Sequence, residues 1–212
     1  MPKPLVIAHR GDSSRALENS LEAFRLALSL PVDMVEFDIR KSRDNNLYVM
    51  HDKDTGRTAD SNIDIEKSLS DDIARVRLKN GEPIPDLNDV LALVAGKVGL
   101  NIEIKSEGAG ALTAAHIVGT GYQGRLMISS FKEREVIEAK RVMPSVPVAG
   151  IFDAFTPSEV SVYRAKGYHV ISLNSKTVSQ ELITSCHSRN IEVYVWTVDK
   201  EEEAEQLIAW GV

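Results

Sequence analysis

The chain has 212 residues and a formal net charge of −6, with 43% hydrophobic and 26% charged residues. This size and composition are typical of one globular domain, and the acidic balance argues against a nucleic-acid binder, which needs a basic surface. A single cysteine, Cys186, excludes an internal disulfide and a thiolate zinc site. The apolar run at residues 4–8 is too short for a signal peptide or a spanning helix, so we expect a cytoplasmic protein.

Strand and helix patterns alternate along the chain. Residues 34–40 alternate apolar and charged side chains, which is the period of a β-strand. Turn-forming residues then lead to a second strand at 47–51, so the two are expected to form a hairpin. The other predicted strands are 4–8, 98–105, 125–131, 146–152, 169–173 and 192–198. The predicted helices are 19–30, 87–95, 111–119, 133–142, 157–165, 179–188 and 200–210, the first with Asn19 as its N-cap.

This alternation predicts an α/β fold in which helices cover a parallel sheet. Polar residues at the strand ends favour a closed (β/α)8 TIM-type barrel. An open doubly wound sheet is the alternative, and the sequence lacks the G-x-G-x-x-G loop that would support it. We count seven strand–helix units before the sequence stops at Val212. The expectation is therefore one barrel domain over residues 1–212 whose eighth strand is missing or truncated.

Residues 52–86 form a polar, charged segment between the hairpin and the next helix. Its one helical pattern lies near residues 70–76, and Asp86 is the expected N-cap of the helix that follows. We interpret this segment as a small insertion within the barrel, a loop or lid rather than a second domain.

Acidic residues collect at strand ends, where barrel enzymes carry their functional sites. Glu36 and Asp38 are two residues apart in one strand and therefore point the same way, and Glu103 is close to the end of another strand. Carboxylates enclosed together repel each other and need a cation between them. Three hard oxygen ligands suit Mg²⁺ or Ca²⁺ better than zinc. The sequence therefore predicts a divalent metal site at these residues.

Basic and imidazole side chains share the same strand ends. Arg10 and Lys105 are expected to face an anion, and a phosphate is the natural one. His9 and His51 are of the residue type that transfers protons near neutral pH, so we expect a general base and a general acid. Trp196 is interpreted as a wall of the pocket. Together these residue types indicate metal-assisted hydrolysis of a phosphate ester.

These residues belong to motifs that resemble the glycerophosphodiester phosphodiesterase family. The motifs follow the family's order and run from about Val6 to the end of the chain, which is specific although each motif alone is weak. In this sequence they are His9-Arg10-Gly11, Glu18-Asn19-Ser20, Glu36-Phe37-Asp38, His51-Asp52, Ile102-Glu103-Ile104-Lys105, Ser130-Phe131 and Trp196-Thr197-Val198. One departure is Ser20, where the family usually has threonine, and it keeps the hydroxyl.

The resemblance implies a barrel enzyme that hydrolyses a small glycerophosphodiester to glycerol 3-phosphate and an alcohol, within lipid and glycerol metabolism. Residues 52–86 occupy the place of the family's insertion. Direct attack by water and passage through a cyclic phosphate both remain open. The implied roles are metal binding by Glu36, Asp38 and Glu103, acid–base chemistry by His9 and His51, and phosphate binding by Arg10 and Lys105.

Two other functions remain open at this point. Lys105 has the amine that a lyase or aldolase uses to form a Schiff base, although three carboxylates would then have no role. A non-catalytic barrel that binds phosphate-containing ligands would also keep the matched residues.

Overall fold

The computed structural model describes residues 3–212 as an α/β fold. Its strands are β1 (Ile7–His9), β2 (Met34–Lys41), β3 (Leu47–Val49), β4 (Gly99–Ile104), β5 (Leu126–Ser130), β6 (Val148–Phe152), β7 (Val170–Asn174) and β8 (Glu192–Trp196). Its α-helices are α1 (Leu21–Ala27), α2 (Ser70–Ile73), α3 (Leu87–Val94), α4 (Gly110–Thr120), α5 (Glu133–Val142), α6 (Val160–Ala165), α7 (Gln180–His187) and α8 (Glu201–Trp210). Across the described residues, every helix falls short of the length and apolar character needed to cross a membrane.

All strands belong to one sheet. Seven of them are parallel neighbours in the order β1-β2-β4-β5-β6-β7-β8, and β3 pairs antiparallel with β2. The predicted parallel sheet and hairpin are therefore confirmed for residues 3–212. That an eighth parallel strand is missing or truncated stays a prediction.

The sheet curls until its two end strands share one interior cluster. Met34 of β2, Met127 of β5 and Val170 of β7 are buried together, and Ile7 of β1 and Tyr194 of β8 pack against them. Since β1 and β8 are the two ends of the pairing order, a flat sheet would hold these side chains far apart. The fold is therefore barrel-like, with helices outside and a filled interior.

The charged strand β2 has both of its faces buried. On the outer face Phe37 packs against Phe24 of α1, with 5.9 Å between the ring centroids. Glu36 and Asp38 alternate with Phe37 and are 4% and 0% exposed. The period of two seen in the sequence thus separates side chains that meet the helices from side chains that enter the barrel.

The start of α1 differs from the prediction, because Asn19 is not its N-cap. Ser20 is the N-cap, and its hydroxyl accepts a backbone N–H of the first turn. Asn19 has a positive φ of 57° and its side chain amide donates to Asp38 instead. A tertiary hydrogen bond to a buried carboxylate therefore outweighs the local capping preference. Asp86, in contrast, caps α3 as predicted.

Residues 52–86 pack as a small unit beside the hairpin. The segment holds a 3₁₀ helix (Ile65–Lys67) and α2, where the helical pattern was expected. Its carboxyl end is tied to β3 by a hydrogen bond from the N–H of Val49 to the carbonyl of Pro85. A second hydrophobic cluster fills the segment and consists of Met50, Ala59, Ile65, Ile73, Val76, Leu78 and Ile84.

Candidate active site

The strand register brings the three predicted metal ligands together. Pairing of β1 with β2 places His9 opposite Glu36, and pairing of β2 with β4 places Asp38 opposite Glu103. One oxygen from each of the three carboxylates lies within 4.8 Å of the others. Each acid is less than 9% exposed. The acids thus meet in an enclosed interior, as the strand positions predicted.

The carboxylates are electrostatically unsatisfied. Burial, and then the charges of Asp38 and Glu103, raise the pKa of Glu36 well above its usual value. Burial and the charge of Asp38 likewise raise the pKa of Glu103. Among residues 3–212, Oε1 of Glu36 and Oδ1 of Asp38 are buried and have no hydrogen-bond partner. Unpaired buried oxygens on two of these acids, with the carboxylate of Glu103 beside them, form a donor set that fits a divalent cation such as Mg²⁺ or Ca²⁺.

Two basic side chains flank the acids. Nζ of Lys105 lies 2.6 Å from Oε1 of Glu103 and 3.4 Å from Oδ1 of Asp38. Nε of Arg10 lies 3.4 Å from Oδ2 of Asp38. Their side chains are 13% and 19% exposed, so both cations can contact the acids and also a ligand that enters from solvent. An anion at this position would meet two positive charges.

A tight turn aims Arg10 at the site. Arg10 and Gly11 have φ angles of 60° and 78°, and the N–H of Arg10 donates to Oε2 of Glu36 at 2.8 Å. A Cβ atom on Gly11 would lie 2.7 Å from the backbone carbonyl carbon of Ala23 in α1. Only glycine permits both this backbone conformation and this close approach.

The two histidines contact different carboxylates. Nε2 of His9 is 3.8 Å from Oε2 of Glu36. Burial, and then the charge of Arg10, lower the pKa of His9, and the charges of Asp38 and Glu18 oppose this shift in part. Nδ1 of His51 is 2.7 Å from Oδ1 of Asp52. The structure therefore holds one imidazole against the acids and the other against a carboxylate of its own.

Three residues that contact Asp38, Arg10 or Asp52 were not predicted as site residues. Asn19 donates to Oδ2 of Asp38 at 2.8 Å, and Glu18 accepts from Arg10 at 2.9 Å. Both belong to the family motif Glu18-Asn19-Ser20, which is the sequence signal that could have identified them. Arg57 donates to both oxygens of Glu18, and nothing distinguishes it in sequence from the other charged residues of its segment.

Trp196 joins the site through a second aromatic ring. Phe131, which follows β5, meets Trp196 edge to face with 5.6 Å between centroids. Nζ of Lys105 lies 5.6 Å from the centroid of the Phe131 ring. Nε1 of Trp196 is buried and has no hydrogen-bond partner in the described part of the chain. The two rings therefore form an apolar wall beside the lysine, with one donor still to be satisfied.

Known proteins are similar to this chain over nearly its full length. The model of the glycerophosphoryl diester phosphodiesterase family matches residues 9–212. A glycerophosphodiester phosphodiesterase from Caldanaerobacter subterraneus subsp. tengcongensis is 31% identical over 226 aligned positions, which cover 99% of this chain and 92% of that protein. A glycerophosphodiester phosphodiesterase from Bacillus altitudinis is 26% identical, over 98% of this chain and 91% of that protein.

Solved structures share the fold. A phosphodiesterase from Oleispira antarctica, in complex with the product sn-glycerol-3-phosphate, is 24% identical with a TM-score of 0.89 and covers 99% of this chain and 90% of its own. A glycerophosphodiester phosphodiesterase from Parabacteroides distasonis is 25% identical with a TM-score of 0.86, over 98% and 90% of the two chains. These likenesses confirm the barrel-like α/β fold.

Proposed function

Because the chain belongs to the glycerophosphoryl diester phosphodiesterase family of hydrolases, we propose that it hydrolyses a glycerophosphodiester to glycerol 3-phosphate and an alcohol with the help of a divalent metal ion. The observation that carries this proposal is the group of three buried carboxylates within 4.8 Å of one another, flanked by Arg10 and Lys105. The bound product of the Oleispira antarctica relative supports glycerol 3-phosphate as the product here.

In this proposal Glu36, Asp38 and Glu103 hold the cation. A bound Mg²⁺ or Ca²⁺ supplies Lewis-acid polarisation of a phosphoryl oxygen. The unpartnered oxygens of Glu36 and Asp38 support the assignment, and Asn19 holds Asp38 in place through a hydrogen bond of 2.8 Å.

Arg10 and Lys105 bind the phosphate of the substrate. Each already contacts Asp38, so their positions are fixed before the substrate arrives and less side-chain entropy is lost on binding. Trp196 lines the pocket, where its ring offers apolar contact and its unpartnered Nε1–H can donate to a substrate oxygen.

His9 and His51 form the acid–base pair. One imidazole takes the proton from the attacking oxygen, which is either water or a substrate hydroxyl, as that oxygen bonds to phosphorus. The bond between phosphorus and the leaving oxygen breaks, and the other imidazole gives that oxygen a proton. Direct attack and a cyclic phosphate route use the same two residues.

We also propose that residues 1–212 are one barrel domain with residues 52–86 as the family-type insertion. A family match that extends over residues 9–212 supports this arrangement. A cytoplasmic location and a role in lipid and glycerol metabolism are part of the same proposal.

The alternative chemistry at Lys105 has little support. A Schiff base needs a neutral amine, whereas Nζ of Lys105 contacts both Glu103 and Asp38 at ion-pair distances. To attack a carbonyl carbon, the amine of Lys105 would have to leave both carboxylates.

The proposal is tested by hydrolysis of glycerophosphocholine with added Mg²⁺ or Ca²⁺. We expect activity with at least one ion, and a loss of about 100-fold or more in kcat for His9→Ala and His51→Ala, because general acid–base catalysis contributes about 10²- to 10⁴-fold. His116→Ala is the matched control, since His116 lies in α4 and contacts Asn88 away from the site. Absence of activity with both ions, or full activity of His9→Ala, would contradict the proposal.

A further inference from the structure

His51 stands at the point where the short strand β3 runs into residues 52–86. β3 pairs with β2 at three positions, Leu47 to Val49, so the sheet ends before the histidine begins. Displacement of a catalytic imidazole by about 1 Å can lower the reaction rate about 100-fold. Something other than sheet pairing must therefore hold this side chain, and two arginines make the relevant contacts.

The first contact acts on the ring of His51 through Asp52. Oδ1 of Asp52 lies 2.7 Å from Nδ1 of His51, and Oδ2 accepts from Nε of Arg57 at 2.5 Å. The hydrogen bond from Arg57 lowers the pKa of Asp52 to about 2. An ionised carboxylate accepts hydrogen bonds only, so it keeps a proton on Nδ1 of His51 and leaves Nε2 to exchange protons.

The second contact acts on the backbone of His51. Nε and Nη2 of Arg40 donate to the carbonyl oxygen of His51 at 2.9 and 2.7 Å. Nη1 of Arg40 donates to Oε1 of Glu66, in the 3₁₀ helix, at 2.9 Å. The same oxygen of Glu66 accepts from the hydroxyl of Ser106 at 2.7 Å. The main chain at His51 is thus tied to β2 and to the segment that follows it.

Arg57 is also anchored on its other side. Its Nη1 and Nη2 donate to the two oxygens of Glu18 at 2.7 Å each, and Glu18 accepts from Arg10 as well. A planar guanidinium that binds one carboxylate in bidentate fashion and a second through Nε has a fixed orientation. Charges of alternating sign therefore connect the metal-ligand group to the second histidine, in the order Asp38, Arg10, Glu18, Arg57, Asp52 and His51.

We propose that residues 52–86 are a scaffold that positions His51, and that Arg57 is the positioning residue that fixes Asp52 and, through it, the ring. This inference rests on the proposed function, in which His51 transfers a proton. It gives the segment a role different from the loop or lid that its composition suggested. Arg57 acts through the tautomer and orientation of His51.

The kinetic test is a double-mutant cycle on hydrolysis of glycerophosphocholine. We expect Arg57→Ala to lower kcat about 10- to 100-fold in the wild-type background, but less than about 3-fold in a His51→Ala background, because residues that act through one another are not additive. Arg75→Ala is the control, since Arg75 belongs to the same segment and, among the described residues, its exposed side chain forms one ion pair, with Asp72 at 3.6 Å. Equal losses in both backgrounds, or no loss in the first, would overturn the inference.

A second measurement does not depend on activity. NMR of the protein labelled with ¹⁵N-histidine resolves the signals of its five imidazoles. The spectra are recorded at pH 8, where an imidazole is ordinarily neutral. The signal that disappears in the His51→Ala variant is assigned to His51. We expect the Nδ1–H tautomer in the wild type and in Arg75→Ala. We expect loss of this single tautomer in Arg57→Ala and in Asp52→Asn, which removes the charge and keeps the shape.

An unchanged His51 signal in folded Arg57→Ala and Asp52→Asn overturns the positioning role whatever the enzyme hydrolyses. An inactive wild type with the expected NMR changes would instead contradict the proposed function alone. Circular dichroism checks that each variant is folded, and Asp52→Asn serves as the readout if Arg57→Ala does not fold.

Discussion

At the scale of single residues, the turn after β1 concentrates strain beside the site. Arg10 adopts a left-handed backbone conformation that costs a non-glycine residue about 1 to 3 kcal/mol. Its backbone N–H donates a hydrogen bond to Glu36, and its guanidinium contacts Glu18 and Asp38. These contacts offset the strain and place one positive charge between the acids and the expected phosphate.

Gly11→Ala tests this turn. The new Cβ would meet the backbone of α1 at 2.7 Å with φ at +78°, so we expect a loss of about 2 to 4 kcal/mol in the free energy of unfolding. Gly81→Ala is the matched control, because Gly81 has a φ of +86° with no atom within 4 Å of its Cβ position. Its cost is that of the backbone alone, about 1 kcal/mol. Urea denaturation measures both, and equal losses would show that the close approach to α1 is unimportant.

At the scale of elements, the register of β2 decides which side chains share the barrel interior. The pairs His9–Glu36 and Asp38–Glu103 come from its two parallel neighbours. A slip of one residue would turn the acids toward α1 and bring Phe37 inside. Packing of Phe37 against α1 thus protects the site, because the same alternation that buries the ring directs the carboxylates inward.

The segment at 52–86 is the second element that matters, and Ile65→Ala tests its packing. Ile65 is fully buried in the small cluster of that segment, so we expect a loss of about 2 to 5 kcal/mol. Because Glu66 follows directly and holds Arg40, kcat should fall as well. Leu69→Ala is the control, since Leu69 is 44% exposed and should change stability by less than about 0.5 kcal/mol.

Hydrogen exchange of the amides in 52–86 reports the loss locally, and urea denaturation reports it globally. Slow exchange and full kcat in Ile65→Ala would show that the segment is held by contacts other than its own core.

At the scale of the whole molecule, the barrel closes around like charges. Folding buries Glu36, Asp38 and Glu103 together, and burial with the charge of Asp38 raises the pKa of Glu36 and the pKa of Glu103. Arg10 and Lys105 relieve part of this cost. A cation that binds only the folded state would relieve more of it and would raise the stability of the whole domain.

Metal binding should therefore raise the melting temperature. At a concentration 100 times its Kd, Mg²⁺ or Ca²⁺ is expected to add about 2.7 kcal/mol to the free energy of unfolding. The double variant Glu36→Gln/Glu103→Gln should lose this increase and melt higher than wild type in EDTA, because two repelling charges are gone. Glu133→Gln, at an exposed position of α5, should behave as wild type. Calorimetry with and without the ion measures these melting temperatures. If the ion raises the melting temperature of the double variant as much as that of the wild type, it binds at another site.

The sequence was sufficient to predict those features of the structure that depend on neighbouring residues or on the order of the strands. The period of two in β2 predicted its two faces, and the alternation of strands and helices predicted the parallel sheet. Strand ends in a parallel sheet meet at one edge, so His9, Glu36 and Glu103 were expected together, and the structure brings them together. Their chemical roles are predictions that kinetics of the histidine variants and calorimetry with metal ions test.

Tertiary structure alone decided which charges pair. Asn19 binds Asp38 instead of capping α1, and Arg57 pairs with Glu18 across 39 positions of the chain. Local propensity describes only a few neighbouring residues, whereas these partners are set by how distant parts of the chain pack together. A charged residue in a polar stretch has many possible partners, and its composition does not say which one the fold places within 3 Å. The sequence by itself therefore determined the fold class and the group of candidate ligands, and the packing of the chain determined how His51 is held.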